Sequence, residues 1–335
     1  MSDASFSRLR VLQGIGVQDG DKITNPYTAL LVESLSPLVV VELFSWRKAL
    51  VGGYDVVHLH WPELMVRGRG LRRLVKPALF SVFLMRTRIL GTPVVQTAHN
   101  LKPHENGSKL ERRLLSRLNR QTSAWIVMNH STPTPNPDHT YFVPHGHYRT
   151  WYRQPAMAQP DSGSLLFFGS IRGYKGIDDL LNAVDGSDVA LRIAGRPSDL
   201  ETRRRLERFA QSNPKVTTDL RFVPDDVLSA EIARAERVIL PYRNLHNSGA
   251  VLLSLSLNRP VIVPRTPATQ ELVREFGPQW VLTYEGDLDR DTLRELTERD
   301  LPATGSSPDM SSREWNVVAK RTSEIYLDAV ARMAR

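Results

Sequence analysis

Short apolar runs recur along this chain, with helical patterns between several of them. In the first half they are Leu9–Leu12, Leu38–Val41, Tyr54–His60, Pro93–Thr97, Ala124–Met128 and Tyr141–Val143. After 153–163, rich in Pro, Gln, Ser and Gly, the recurrence restarts with Leu165–Phe168, Val189–Ala194, Arg221–Val223, Arg237–Leu240 and Pro260–Val263, with helical patterns such as Leu200–Gln211 and Ala250–Leu257 between them. Strands alternating with helices predict the α/β class, with a parallel, doubly wound sheet in each half. A chain of 335 residues is too long for one core and suits two domains. The expected division is a first domain over 1–150, a linker over 151–163, a second domain over 164–310 and a terminal helix over 311–335 that packs back on the first. Leu301–Pro308 reads as a loop. Within Ser312–Met333, residues Trp315, Val318, Ile325, Tyr326 and Val330 are expected on the buried side.

Doubly wound sheets bind ligands beyond the carboxyl ends of their strands. The most informative end is SLLFFGSIRGYKGIDDLL, Ser164 to Leu181. An apolar strand enters a turn at Gly169, a basic loop follows (Arg172, Tyr174, Lys175, Gly176), and a helix opens with Asp178 and Asp179, acids that suit its positive end. Free amides at a helix N-terminus attract anions, and Arg172 and Lys175 add mobile positive charge. This reads as a diphosphate cradle; the plainer reading is an ordinary loop with solvated charges. Asn247, Ser248, Gly249 and Ala250 form a second helix-opening turn, either an anion site or a capping serine. In the first half, strand ends carry His60, Trp61 and Glu63, then His99 and Glu105, then His145 and His147. Asp178–Asp179 and Asp225–Asp226 read as helix-start acids, and Asp287, Asp289 and Asp291 as capping and solvated residues, so no metal site is expected.

Composition narrows the classes. Hydrophobic content of 41% and charged content of 24% are ordinary for a soluble globular protein. There is no cysteine, which excludes disulfides and thiolate-bound zinc. MSDASFSRLR has no apolar core of a leader, and no run is long enough to span a bilayer, so a cytoplasmic place is expected. A net charge of +8 favours anionic partners. From Leu64 to His104 there is no acid, while Arg67, Arg69, Arg72, Arg73, Lys76, Arg86, Arg88 and Lys102 fall inside. Leu71, Leu74, Val75, Leu79, Val82, Phe83 and Met85 interleave with them. Region 67–88 reads as a helix lying on an anionic membrane surface, or as a core helix with a solvated face. Lys109–Arg120 is a second basic helix. A nucleic-acid binder would share the charge, but no helix-turn-helix, zinc or RNP-type signature is present.

Six segments in order resemble the GT-B glycosyltransferases of the family-4-like group, and within it the bacterial exopolysaccharide branch that includes xanthan-pathway β-mannosyltransferases. They are NPYTALLVESL (Asn25–Leu35), YDVVHLHWPE (Tyr54–Glu63), TAHNLKPHE (Thr97–Glu105), PHGHY (Pro144–Tyr148), FFGSIRGYKGIDDLL (Phe167–Leu181) and PYRNLHNSGAVLLSLSLNRPVIVP (Pro241–Pro264). The resemblance implies two Rossmann-like domains facing across a cleft, and a nucleotide-sugar donor, GDP-mannose or a UDP-sugar, held mainly by the second. Arg172 and Lys175 match the pair that neutralises the donor diphosphate. Gly169, Tyr174, Gly195, Arg196, Asn247, Ser248, Gly249, Glu271, His145 and His147 complete the implied donor set, and Asn25, Tyr27 and Trp61 the implied acceptor set. No cofactor or metal is implied beyond the substrate, because the cations can stabilise the leaving diphosphate. Relatives carry two glutamates where this chain has His246 and Ser254, a departure that favours an inverting reaction. Inversion needs a base at the acceptor hydroxyl: Glu63 is the first choice, with Glu105, His60 and His99 as the other catalytic candidates. The implied acceptor is a saccharide, lipid-linked, on the inner face of the membrane. A retaining enzyme of this fold, an inactive nucleotide-sugar-binding protein and a nucleic-acid-binding protein are the alternatives.

Overall fold

The computed structural model describes residues 8–15, 18–19, 22–23, 25–68, 70, 72–99, 107–152, 160–243, 245, 247 and 249–334. Glu105, Ser248, His246, Arg69, Leu71 and Lys102 lie outside the described residues. Internal contacts divide the chain into two units: Met1–Gly146 with Ser312–Arg335, and His147–Ser311. The break falls before His147 rather than after residue 150, and residues 312–335 belong to the first unit.

The first unit runs β1 (Arg10–Gly14), β2 (Gln18–Asp19), β3 (Lys22–Ile23), α1 (Pro26–Leu35), β4 (Val40–Leu43), α2 (Trp46–Val51), β5 (Val56–His60), α3 (Glu63–Val66), α4 (Arg72–Ile89), β6 (Val94–Ala98), α5 (Lys109–Gln121), β7 (Thr122–Val127) and β8 (Thr140–Phe142). Six strands form a parallel sheet in the order β4-β1-β5-β6-β7-β8. A parallel sheet covered on both faces reads as continuous apolar runs, and every residue of β5 is buried. Leu12, Val57, Leu59, Phe80, Phe83, Leu84 and Leu118 build the core on one side. Asn25 caps α1, its side-chain oxygen accepting from the Tyr27 amide at 3.0 Å, with Pro26 at the first helical position. The β2–β3 hairpin was not expected, because its two-residue strands leave no periodic trace.

The second unit runs β9 (Asp161–Phe168), α6 (Ile177–Val184), β10 (Ala190–Ala194), α7 (Leu200–Ser212), β11 (Val216–Asp219), α8 (Asp225–Arg234), β12 (Ala235–Ile239), α9 (Gly249–Ser256), β13 (Val261–Pro264), α10 (Pro267–Phe276), β14 (Val281–Tyr284) and α11 (Arg290–Glu298). Its sheet is parallel, in the order β11-β10-β9-β12-β13-β14. The final helix, α12 (Trp315–Met333), lies in the first unit against α1. It buries Trp315, Val318, Ile325 and Tyr326.

Four expectations change. Strand β9 begins at Asp161, inside the expected linker, because Asp161 already pairs with Ala235 on the neighbouring strand β12. Arg221–Val223 is loop, not strand: Val216–Asp219 takes the edge position, and Pro224 opens α8 directly afterwards. Residues 311–313 form a short 3-10 turn, so the terminal helix starts at Trp315. The edge strand β14 was not foreseen.

Candidate active site

Strand order fixes where each unit can hold a ligand. The order reverses between β9 and β12 in the second unit, and between β1 and β5 in the first; the crevice of a doubly wound sheet opens beyond the carboxyl ends at such a point. Beyond β9 lies the glycine turn with Arg172 and Lys175, and beyond β5 lie His60, Trp61 and Glu63.

The second-unit site is built on close backbone approach. The Gly169 amide donates to the Ala194 carbonyl at 2.9 Å, and a Cβ on Gly195 would lie 1.9 Å from the Gly169 oxygen. Gly176 adopts φ 67°, and a Cβ there would lie 2.0 Å from the Pro241 oxygen. Only glycine allows both crossings. Ile171 bridges to Pro197, with its amide donating to the Arg196 carbonyl at 3.0 Å, so the loops after β9 and β10 are tied together. The Arg172 and Arg196 side chains are exposed. Tyr174 is exposed on the same 3-10 turn as Lys175.

Lys175 turns inward. Its Nζ donates to the Tyr242 hydroxyl at 3.2 Å and lies 4.6 Å from the centre of that ring. Burial, then the neighbouring Arg172 charge, pushes its pKa down from 10.5 to about 8. Asp178 and Asp179, in the first turn of α6, are engaged by Arg205 at 2.8 Å and by a forked pair from Arg243 at 2.9–3.1 Å. They are helix-start acids, as their sequence position indicates. Asp289 likewise caps α11, accepting from the Thr292 amide at 2.8 Å.

The remaining second-unit candidates sit on two further helix starts. Helix α9 opens at Gly249, with Asn247 two residues before it. A Cβ on Gly249 would lie 3.0 Å from the Tyr148 hydroxyl. Ser254 is fully buried, its hydroxyl donating to the Ala250 carbonyl at 2.8 Å, and so does not present a polar group to a ligand. Glu271 lies in the second turn of α10, whose start is fixed by a reciprocal Thr266–Thr269 capping box. His147 is buried and accepts from the Arg149 amide at 3.2 Å through Nδ1.

In the first unit, the histidines at and near the strand ends form an array in which His58, His60 and His145 are buried and His99 is half-buried. His58 Nδ1 meets the Tyr326 hydroxyl at 2.6 Å and its Nε2 the Thr97 hydroxyl at 2.7 Å; Gln13 donates to the same tyrosine at 3.0 Å. His60 Nδ1 lies 2.8 Å from His99 Nε2. Burial pulls the pKa of His60 from 6.5 down to about 3; His58 and His99 fall well below their ordinary value through burial first and His60 second. His145 falls to about 4 through burial, partly opposed by its Nδ1 hydrogen bond to the Gly146 carbonyl at 2.7 Å. These imidazoles are therefore neutral hydrogen-bonding groups near pH 7. Tyr27 packs among His145, His99, Trp315 and His60, at ring separations of 4.5, 5.4, 5.6 and 6.0 Å. Trp61 has φ 48°, a left-handed conformation strained for a bulky residue, and stacks on His99 at 3.9 Å. Glu63 is half-buried at the first position of α3. Asn25 spends its side-chain oxygen on the cap of α1.

Sequence alone passes over Tyr242 and places Tyr326 only on the buried side of the terminal helix. Each reads as an ordinary core aromatic, and its polar contact comes from a residue remote in the chain.

Residues 162–295 match the family model described as Glycosyl transferases group 1. The chain is 38% identical over 314 residues to the GDP-mannose:glycolipid 4-beta-D-mannosyltransferase of Xanthomonas campestris pv. campestris, covering 92% of this chain and 90% of that protein. Among solved structures it resembles Anabaena HepE in complex with UDP and glucose (TM-score 0.61, 14% identity, 97% and 98% of the two chains). It also resembles WaaG, a glycosyltransferase involved in lipopolysaccharide biosynthesis (TM-score 0.57, 12% identity, 97% and 99%).

Proposed function

Since this chain belongs to the group 1 glycosyltransferases and is a glycosyltransferase of GT-B architecture, we propose that it transfers mannose from GDP-mannose to a lipid-linked saccharide during exopolysaccharide or surface-glycan assembly. The relative of 38% identity bears an activity of that kind in its name. The observation that carries the reading is the cradle at the end of β9: a glycine turn at the sheet's reversal point, a helix N-terminus, and the paired cations Arg172 and Lys175. Gly195 and Arg196, Asn247 to Gly249, Glu271, His145 and His147 are the further donor-side residues in this proposal.

The reaction follows from charge. Breaking the bond between sugar and diphosphate leaves a nucleoside diphosphate with growing negative charge, and fixed cations and amides lower the barrier by meeting it. Arg172 and Lys175 supply that charge without a resident metal. On the acceptor side, a base must take the hydroxyl proton. His60, with a pKa near 3, is too weak a base near neutral pH. Glu63 fits the role better, with His60, His99, Tyr27, Asn25 and Trp61 arranging the sugars. Attack opposite the leaving group inverts the anomeric carbon, and Ser254, buried where relatives carry a glutamate, supports that outcome.

Helix α4 supports a peripheral place on the inner face of the membrane. Leu74, Val75, Ala78, Val82, Met85 and Ile89 are exposed and share about 100° of helical arc, with Arg72, Arg73 and Arg88 also exposed on the helix. Three cations of region 67–88 serve elsewhere: Arg67 pairs with Glu111 at 2.9 Å, Lys76 donates to the Leu64 carbonyl at 3.1 Å, and Arg86 binds the Tyr54 hydroxyl and Gly52 carbonyl, each at 2.5 Å. No helix among the described residues is long and apolar enough to cross a membrane. The test is transfer from GDP-mannose, UDP-glucose and UDP-galactose to a lipid-linked oligosaccharide, with the new linkage read by NMR. A β-mannosyl product is expected; turnover only with a UDP-sugar, or an α product, overturns the respective half of the proposal.

A further inference from the structure

Lysine carries its charge on a flexible stem, and a half-buried ammonium beside an arginine needs something to hold it. Among the described groups, Tyr242 meets it. The ring is buried and edge-on to Phe167 at 6.3 Å, so it is fixed against the β9 wall. Its amide donates to the Leu240 carbonyl at 2.8 Å, which bends the chain back after β12. The adjoining Pro241 carbonyl presses on Gly176, next to the lysine. The Lys175 nitrogen then lies within hydrogen-bond distance of the phenol and over the ring face, and 3.7 Å from where a Gly169 Cβ would be.

We propose that Tyr242 is a positioning residue of the donor site, holding the Lys175 ammonium at the glycine turn in the place where it meets the diphosphate. The inference rests on the donor-site reading above. A tyrosine suits the task better than an acid. A carboxylate would bind the ammonium but cancel its charge and compete with the phosphates. The Tyr242 phenol stays protonated, because burial first and Tyr174 second push its pKa up. It offers a neutral oxygen and a π face, which hold a cation without neutralising it. Arg172 and Tyr174 on the same turn are the other charged or titratable groups that bear on this pair.

The test is a double-mutant cycle with GDP as the probe. Wild type, Y242F, K175A and the double variant are titrated by calorimetry between pH 6.5 and 9.5. Y242F keeps the ring and removes the hydroxyl. It should weaken GDP binding about three- to tenfold, and move the alkaline limb of affinity down by about half a pH unit or more, because the ammonium loses an acceptor. In the K175A background, Y242F should have no further effect. Unchanged affinity in Y242F, an unmoved alkaline limb, or an equal loss with and without Lys175 overturns the positioning role. K175A binding GDP as tightly as wild type overturns the donor-site reading itself, whatever Tyr242 does.

Discussion

His60 Nδ1 and His99 Nε2 lie 2.8 Å apart, so one imidazole donates to the other across a junction that holds a single proton. Protonating both rings would set two protons there, and burial opposes charging either one. His60, with its pKa lowered from 6.5 to about 3, and His145, lowered to about 4, bind protons more readily unfolded than folded. Their contribution to stability is complete above pH 6.5 and is lost as pH falls towards their folded values, with a slope of up to about 1.4 kcal/mol per pH unit for each group. Thermal unfolding between pH 7 and 4 should show the midpoint falling steadily. His145→Gln should flatten that slope even if it lowers the midpoint at pH 7. The same slope in wild type and variant would remove His145 from this account.

Glu63 opens α3 two residues after the strained Trp61, with Pro62 between them. If it takes the acceptor proton, Glu63→Gln should lower kcat by about 10²–10⁴-fold, the range of a lost general base. GDP affinity should not change, because the diphosphate cradle is built from the second unit. Turnover close to wild type would move the base elsewhere, with Glu105 the next residue to replace.

That the candidate residues stand at strand ends is legible in the sequence, for a physical reason. Strand ends in doubly wound sheets are marked by local chemistry: Gly169 and Lys175 follow Phe168 within one turn, and His60 ends its own strand. What could not be read is the contact between distant elements. Tyr242 reaches Lys175 across 67 residues, and Tyr326 reaches His58 across 268. Both depend on sheet order and helix packing rather than on any local pattern. Strand β14 escaped notice because its four residues follow a glycine–proline turn and carry no alternation. Arg221–Val223 misled in the opposite sense: the short run has strand-like residues, but Phe222 is 75% exposed.

Two glycines in the cradle loop should respond differently to the same methyl group: one with a loss of stability, the other with none. Gly176 has φ 67° and would set a Cβ 2.0 Å from the Pro241 oxygen, a backbone atom that cannot swing aside. Gly176→Ala should cost about 2–4 kcal/mol. That corresponds to a fall of roughly 5–15 °C in the second unit's Tm. A Cβ on Gly173 meets nothing within 4 Å and its φ is not positive. Gly173→Ala should therefore leave Tm within about 2 °C, near the limit of a neutral surface change. Equal effects at the two positions would show that close approach does not constrain this turn.

The exposed stripe of α4 makes a prediction that separates membrane contact from folding. Leu74 is 73% exposed and Met85 49% exposed, so neither supports the core. Replacing both by glutamate should change unfolding by no more than about 0.5 kcal/mol per site. On a bilayer the same change removes two inserting groups and sets negative charge against anionic headgroups. Co-flotation with vesicles containing phosphatidylglycerol should fall about tenfold or more, while wild-type binding should weaken as salt shortens the reach of Arg72, Arg73 and Arg88. Leu200, 69% exposed on α7 of the second unit, is the matched control, and Leu200→Glu should leave flotation unchanged. Wild-type protein that does not float, or a double variant that floats as well as wild type, would detach α4 from the membrane and leave its stripe unexplained.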